Sequence, residues 1–255
     1  MRGKAKCVLI PLAGLIALVV VTILLAPARV VTLLTDDVDE LTLRAVAGRL
    51  WNGTAEIRYR GHDLGTLAWS LRPGDLLAGE IGVDWMLEHV GYSASGTGAL
   101  GTATGSVTAS GQVQGVAVSR FLAAYHIHIE GDFELDGLDV RIDHAGLPVA
   151  AQGNLHWSGG RALYRLSGQF HDASLPAMTG TLSMTDSGPE LRCVQADEPV
   201  SLMTARLDPE GWAHIDVTKA LTVLAGYPWP GSHADDDVVV TVSERLFTPV
   251  AAALD

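Results

Sequence analysis

The nearest approach to metal chemistry in this chain is a pair of histidines one residue apart, His126 and His128. On a strand, residues i and i+2 share a face, so both imidazoles could reach one ion, with His144 or His156 supplying a third ligand from a neighbouring strand. Two ligands make a weak metal signal. Glu130 continues the same row, and the pair reads instead as the solvated face of a strand. Asp235-Asp236-Asp237 invites a calcium reading, but the ligand spacing of an EF-hand loop is missing, so a charged loop before a strand is expected. Nucleophilic catalysis finds no support, since the chain has no Gly-x-Ser-x-Gly elbow and Ser158-Gly159-Gly160 falls at a turn. The glycine-rich stretch from Gly96 to Gly105 is not followed by Gly-Lys-Ser/Thr, so it is no phosphate-binding loop. Cys193 has only Arg192 beside it to activate a thiolate and reads as a small buried hydrophobe on a strand. The expectation is a protein that is not an enzyme, with no catalytic, cofactor-binding or metal-binding residue.

Aromatic residues offer the other kind of chemistry, contact. Six tryptophans stand beside only four phenylalanines. Trp51, Trp69 and Trp85 lie in or beside alternating segments and read as packing; the functional alternative is a line of aromatics along a groove. Tyr227-Pro228-Trp229-Pro230-Gly231 must be irregular, because prolines flank Trp229. Tyr227 and Trp229 are therefore the candidate partner or ligand contact, with packing at the end of a sheet as the alternative.

The elements that would position these residues are strands. Ala55, Ile57 and Tyr59 alternate with Glu56, Arg58 and Arg60; Leu67, Trp69 and Leu71 alternate with Thr66, Ala68 and Ser70. Ile81, Val83, Trp85 and Leu87 repeat the pattern, and a period of two is the mark of a half-buried strand. Residues 93–115 are mostly Gly, Ala, Ser and Thr, which gives a weak hairpin around Gly101 to Gly105 with little to fix its register. Ser119 begins a predicted short helix, strands resume from His126 to Phe133 and through Leu138, Val140 and Ile142, and Asp208 to Trp212 forms a hairpin turn. Gly153 to Gly160 and Gly48 to Gly53 share Gly, Leu, Trp and a turn, at most the trace of an old duplication. Thr218 to Ala225 has helical spacing, and Val238 to Val242 is the last strand. With few helices and no βαβ alternation, an antiparallel meander is expected.

The N-terminus differs from everything after it. Cys7 to Ala26 is an unbroken apolar run preceded by Arg2, Lys4 and Lys6, long enough to cross a bilayer as one helix. The basic tail, residues 1–6, should stay cytoplasmic and residues 29–255 should form an exported, periplasmic β domain, with the protein single-pass in the inner membrane. Ala26-Pro27-Ala28 has the form of a signal-peptide cleavage site; the length of the run, Pro27 and Arg29 favour an uncleaved anchor. Beyond the anchor 14 Lys and Arg face 29 Asp and Glu, and Lys219 is the sole lysine. Such a surface repels nucleic-acid phosphates and gives no electrostatic hold on anionic lipid head groups.

Two segments carry a family resemblance. Gly48-Arg49-Leu50-Trp51-Asn52-Gly53-Thr54-Ala55 resembles the Gly-Thr-Leu-Trp-x-Gly-x-Ala signature of the type II secretion system protein N family, with Arg49 departing from the usual Thr. Leu64 to Pro73 resembles the Leu-Gly-x-Leu-x-Trp-x-Leu-x-Pro stretch that follows there, and Gly153 to Gly160, Leu175-Pro176, Asp208 to Trp212 and Gly226 to Pro230 are further landmarks. The resemblance implies a non-enzymatic inner-membrane accessory component of type II secretion, supporting export of folded proteins and contacting other inner-membrane components of the apparatus. It also implies likeness in shape to the AsmA-like group, with a mainly β fold: a curved antiparallel sheet, an open gutter or half-barrel, one or two short helices, and a lipid-binding gutter as the alternative function.

Overall fold

The structure, a computed structural model, describes residues 41–59, 62–123, 126–166, 168–227 and 229–245. The expected tail and anchor, residues 1–6 and 7–26, lie outside the described residues; among those described, no helix is long and apolar enough to cross a membrane.

The chain runs through β1 (Leu41–Arg49), β2 (Asn52–Tyr59), β3 (His62–Arg72), a 3-10 turn (Pro73–Ala78), β4 (Ile81–His89), β5 (Tyr92–Leu100) and β6 (Thr104–Gln114). Helix α1 (Gly115–Leu122) follows, then β7 (Ile127–Ile129), β8 (Asp132–Asp143), β9 (Pro148–Trp157), β10 (Gly160–Leu166) and β11 (Gln169–Leu175). The last part comprises β12 (Met178–Thr185), β13 (Gly188–Gln195), β14 (Glu198–Leu207), β15 (Trp212–Thr218), α2 (Lys219–Leu224) and β16 (Val238–Arg245).

Thirteen strands form one antiparallel sheet in the order β1-β2-β3-β4-β5-β6-β8-β9-β12-β13-β14-β15-β16. The meander expected from the sequence is therefore present, with two excursions. β7, β10 and β11 leave it to form a second sheet in the order β11-β10-β7. Among the described residues β1 and β16 are edges and do not pair, so the sheet is open and no barrel closes. Accumulated strand twist keeps a sheet of this width from lying flat.

Binary patterning propagates through the ladder. Ala55, Leu67, Leu87, Ala94, Gly111, Leu135, Leu155, Gly180, Cys193, Met203, Val217 and Val240 are successive cross-strand partners from β2 to β16. No polar side chain interrupts that row. The neighbouring row on the other face runs Glu56, Thr66, Glu88, Ser93, Gln112, Glu134, His156 and Thr179. The sheet thus has one apolar face and one polar face, as alternation demands of an antiparallel sheet packed on one side.

Among the described residues, only part of the apolar face is roofed. The second sheet lies over the β8–β14 region, and the buried apolar side chains larger than alanine gather there: Leu202 at 1% exposure, Trp157 at 6% and Cys193 at 8%. The Trp157 indole donates its N–H to the Glu130 carbonyl at 3.0 Å and stacks on Phe133, tying the loop after β7 to the large sheet. Over the earlier strands Ile81, Leu100 and Val107 of the same face remain 52%, 61% and 46% exposed.

Three expectations need correction. The predicted strand from His126 to Phe133 is two strands in different sheets, broken at Gly131, whose φ of 85° only glycine adopts freely. A Cβ at Gly131 would also stand 2.1 Å from the Gly159 carbonyl oxygen. The first helix starts at Gly115, not Ser119; Ser119 sits inside it, 7% exposed. Its hydroxyl lies 2.8 Å from the Gly115 carbonyl and 3.0 Å from that of Ile129, and accepts the Ile129 N–H at 2.8 Å, so it joins α1 to β7 rather than capping. The small-residue hairpin is not weak: β5 and β6 are full-length inner strands, their register pinned by a Thr97–Thr108 hydroxyl pair at 2.9 Å.

Candidate functional site

The two sequence signatures come together in one packing unit. β1, β2 and β3 pair in succession, and Gly53 lies opposite Trp69. The Trp69 indole lies across Gly53, where an added Cβ would be 2.5 Å and 2.9 Å from two ring carbons. Its N–H donates to the Leu50 carbonyl at 3.1 Å, while the Leu71 N–H donates to the Trp51 carbonyl at 2.6 Å. Gly48, with φ of 93°, lies near the end of β1 opposite Gly53, just before the turn at Leu50 and Trp51. Trp85, opposite Trp69, similarly covers Gly96. These residues build the start of the sheet, and their chemistry is packing.

Tyr227 and Trp229 belong to an aromatic corner that the sequence did not reveal. Tyr164 of β10 stacks on His171 of β11 at 5.2 Å between ring centroids. His171 meets Tyr227 edge-on at 6.1 Å, and Tyr227 meets Trp229 at 6.3 Å. The Tyr164 hydroxyl donates to the Ala225 carbonyl at 2.7 Å, and burial raises its pKa, so it stays a donor. All four rings are half-buried. The corner fastens the second sheet to the end of α2 while leaving part of each ring in solvent.

The acidic loop before β16 has a local partner. The Asp237 and Asp235 carbonyls accept the N–H groups of Lys219 and Ala220, the orphan donors of the first turn of α2. The Lys219 ammonium lies 3.2 Å from the Asp235 carboxylate and donates to the His233 carbonyl at 2.6 Å. The loop closes the helix start.

The histidines are not brought together. His126 lies in a turn with φ of 57° before β7 begins, so it and His128 do not share a strand face. His156 stands exposed on the polar row of β9, and His144 is exposed in the turn after β8. Among the described residues no three His, Cys, Asp or Glu side chains are placed to hold a metal ion.

The two edges differ. β1 carries a register shift between Arg44 and Ala47, and Ala45 takes a φ of 50°, so this edge is kinked and basic. β16 pairs with β15 regularly from Arg245 to Val240, and its sequence, VVVTVSER, is rich in β-branched residues. Val238 and Val242 on it are both 52% exposed.

No curated protein and no solved structure matches the chain. The family model for type II secretion system protein N matches residues 39–227, from before β1 to the aromatic corner. The chain belongs to the type II secretion system protein N family and is a component of that secretion pathway.

Proposed function

We propose that this chain is a non-enzymatic accessory component of the type II secretion apparatus, held in the inner membrane by the segment Cys7 to Ala26, with its β domain in the periplasm. It supports export of folded proteins by joining other inner-membrane components of the apparatus through strand addition. The observation that carries this reading is the β16 edge: regular, valine-rich, and without a strand partner among the described residues. An edge of that kind presents a row of backbone donors and acceptors ready to template a partner strand. Tyr227 and Trp229 supply the exposed part of an aromatic contact near α2.

Deleting the gene should abolish release of the pathway's substrates, and the wild-type chain should restore it. Val242→Lys places a charge on the edge strand, the device natural sheets use to block edge pairing, and should fail to restore export while the protein accumulates normally. A reporter enzyme fused behind Asp255 should be active only in the periplasm. Normal export without the gene, or a reporter active only in the cytosol, would overturn the proposal.

A further inference from the structure

A cavity of about 240 Å³ lies between the two sheets. Leu155 and Cys193 of the large sheet form its floor, beside Gly180, which carries no side chain; Ile129 of β7, Leu175 of β11 and Leu221 of α2 form its roof. Its wall is almost wholly apolar and it is partly open. Protein interiors hold few voids larger than a water molecule, and an apolar hollow of this size left unfilled forgoes the packing contacts that its lining could make. Water is a poor filler, since an ordered water needs two to four polar partners. The Trp157 indole N–H is already committed to the Glu130 carbonyl.

We propose that this cavity binds the end of a hydrocarbon chain. A cavity of roughly 150 Å³ accepts benzene, so this one takes roughly ten carbon atoms. A linear chain suits it better than a compact ring because the apolar surface does not end at the roof. The row of small and aliphatic side chains continues through Leu135, Gly111 and Ala94 to the strands where Val107, Leu100 and Ile81 are exposed. A chain longer than the cavity can lie along that surface. Met178 and Met203 in the wall are adaptable in shape and fit chains of differing bend.

The test uses the full chain in bilayer discs with two probes. One is phosphatidylcholine carrying a diazirine near the end of one acyl chain; the other is free palmitic acid with the same group. After illumination, adducts mapped by mass spectrometry should concentrate on peptides holding Met178, Cys193, Met203 and Leu221. The probe that labels them identifies the source of the chain. Cys193→Leu and Leu221→Trp fill the cavity from floor and roof. Each methylene displaced weakens binding about fourfold, so labelling should fall about tenfold or more in each. Leu221→Trp changes a half-buried helix position and keeps the test informative where Cys193→Leu does not fold. Adducts spread along the chain without enrichment at the cavity, or labelling unchanged in the folded filled variants, would overturn the proposal. So would filled variants that gain stability when the wild type takes up neither probe, the behaviour of a simple packing void.

Discussion

Gly53→Ala tests whether the signature at the start of the sheet is a packing unit. The backbone tolerates the change, since Gly53 does not take a left-handed φ. The new methyl would lie 2.5 Å from the nearest Trp69 ring carbon and 2.8 Å from the Ala47 carbonyl oxygen. Real contacts of this kind sit beyond 3.4 Å, so the ring must move by about an ångström. That shift strains the core by about 1–3 kcal/mol and weakens the Trp69–Leu50 hydrogen bond, worth about 1 kcal/mol more. The total is a loss of about 2–4 kcal/mol, read as a lower urea midpoint by tryptophan fluorescence. Gly74→Ala is the control: nothing lies within 4 Å of its Cβ, so it should be neutral or gain up to about 1 kcal/mol through the unfolded state. In a Trp69→Leu background the Gly53→Ala cost should shrink by the ring's share, leaving only the contact with the Ala47 carbonyl, because positions 53 and 69 touch. Equal stability for Gly53→Ala and Gly74→Ala, or an undiminished cost without the indole, would refute the packing account.

Ser119→Ala should cost about 1–2 kcal/mol in the same assay, because it strands the part-buried Ile129 N–H; Ser119→Thr, which keeps the hydroxyl, should lose less. Burial raises the Cys193 thiol above its ordinary range, so the neutral form is the stable one in the fold. Stability from this source is complete below the unfolded thiol pKa and falls as pH rises past about 8.5; Cys193→Ala should flatten that alkaline limb of the urea midpoint. Native Cys193 should also alkylate with iodoacetamide far more slowly than in urea, measured by peptide mass. Asp208 is held below the usual carboxylate range, first by the Trp212 N–H at 2.8 Å and then by the His214 ring at 3.1 Å. Its contribution is present above about pH 4 and is lost as pH falls through the lowered folded pKa, so Asp208→Asn should destabilise the β14–β15 hairpin at pH 6, and its deficit against wild type should narrow as pH falls below about 4.

Period two was enough to read the fold class, because a sheet with one apolar face writes its alternation into every strand. Local reading failed where the deciding contact was remote. Residues 93–115 lack large side chains, yet Gly96 and Gly98 are what the Trp85 ring and Val83 need from the next strand, and that fit is invisible within the segment. Ser119 resembles a helix cap because the bond to Ile129 is made by chain that follows a turn. Nothing in β7, β10 or β11 marks them for a separate sheet except glycines with positive φ at their joints, Gly131 and Gly159. The prolines around Trp229 mark Tyr227 and Trp229 as an irregular aromatic segment and say nothing of what the two rings touch within the chain. Their partners Tyr164 and His171 lie more than fifty residues earlier and carried no signal.

The unbroken apolar row places a strict demand on register. A slip of one residue at any strand would send every later side chain to the wrong face, so each irregularity must preserve the alternation. The ladder does contain irregularities, between Ile57 and Arg58, Ala109 and Gly111, Asp136 and Asp139, and Cys193 and Val194. Still the row from Ala55 to Val240 meets only apolar or small side chains. A meander is built from neighbouring hairpins, so each strand inherits its register from the one before. The first pairings therefore set the phase for the rest. That is where the signature residues sit: Gly48 paired with Gly53 at the end of β1, Gly53 receiving the indole, and the Trp69 N–H fixed on the Leu50 carbonyl. A family signature confined to sheet-building residues follows from this, because an error there displaces the apolar face and the β16 edge together.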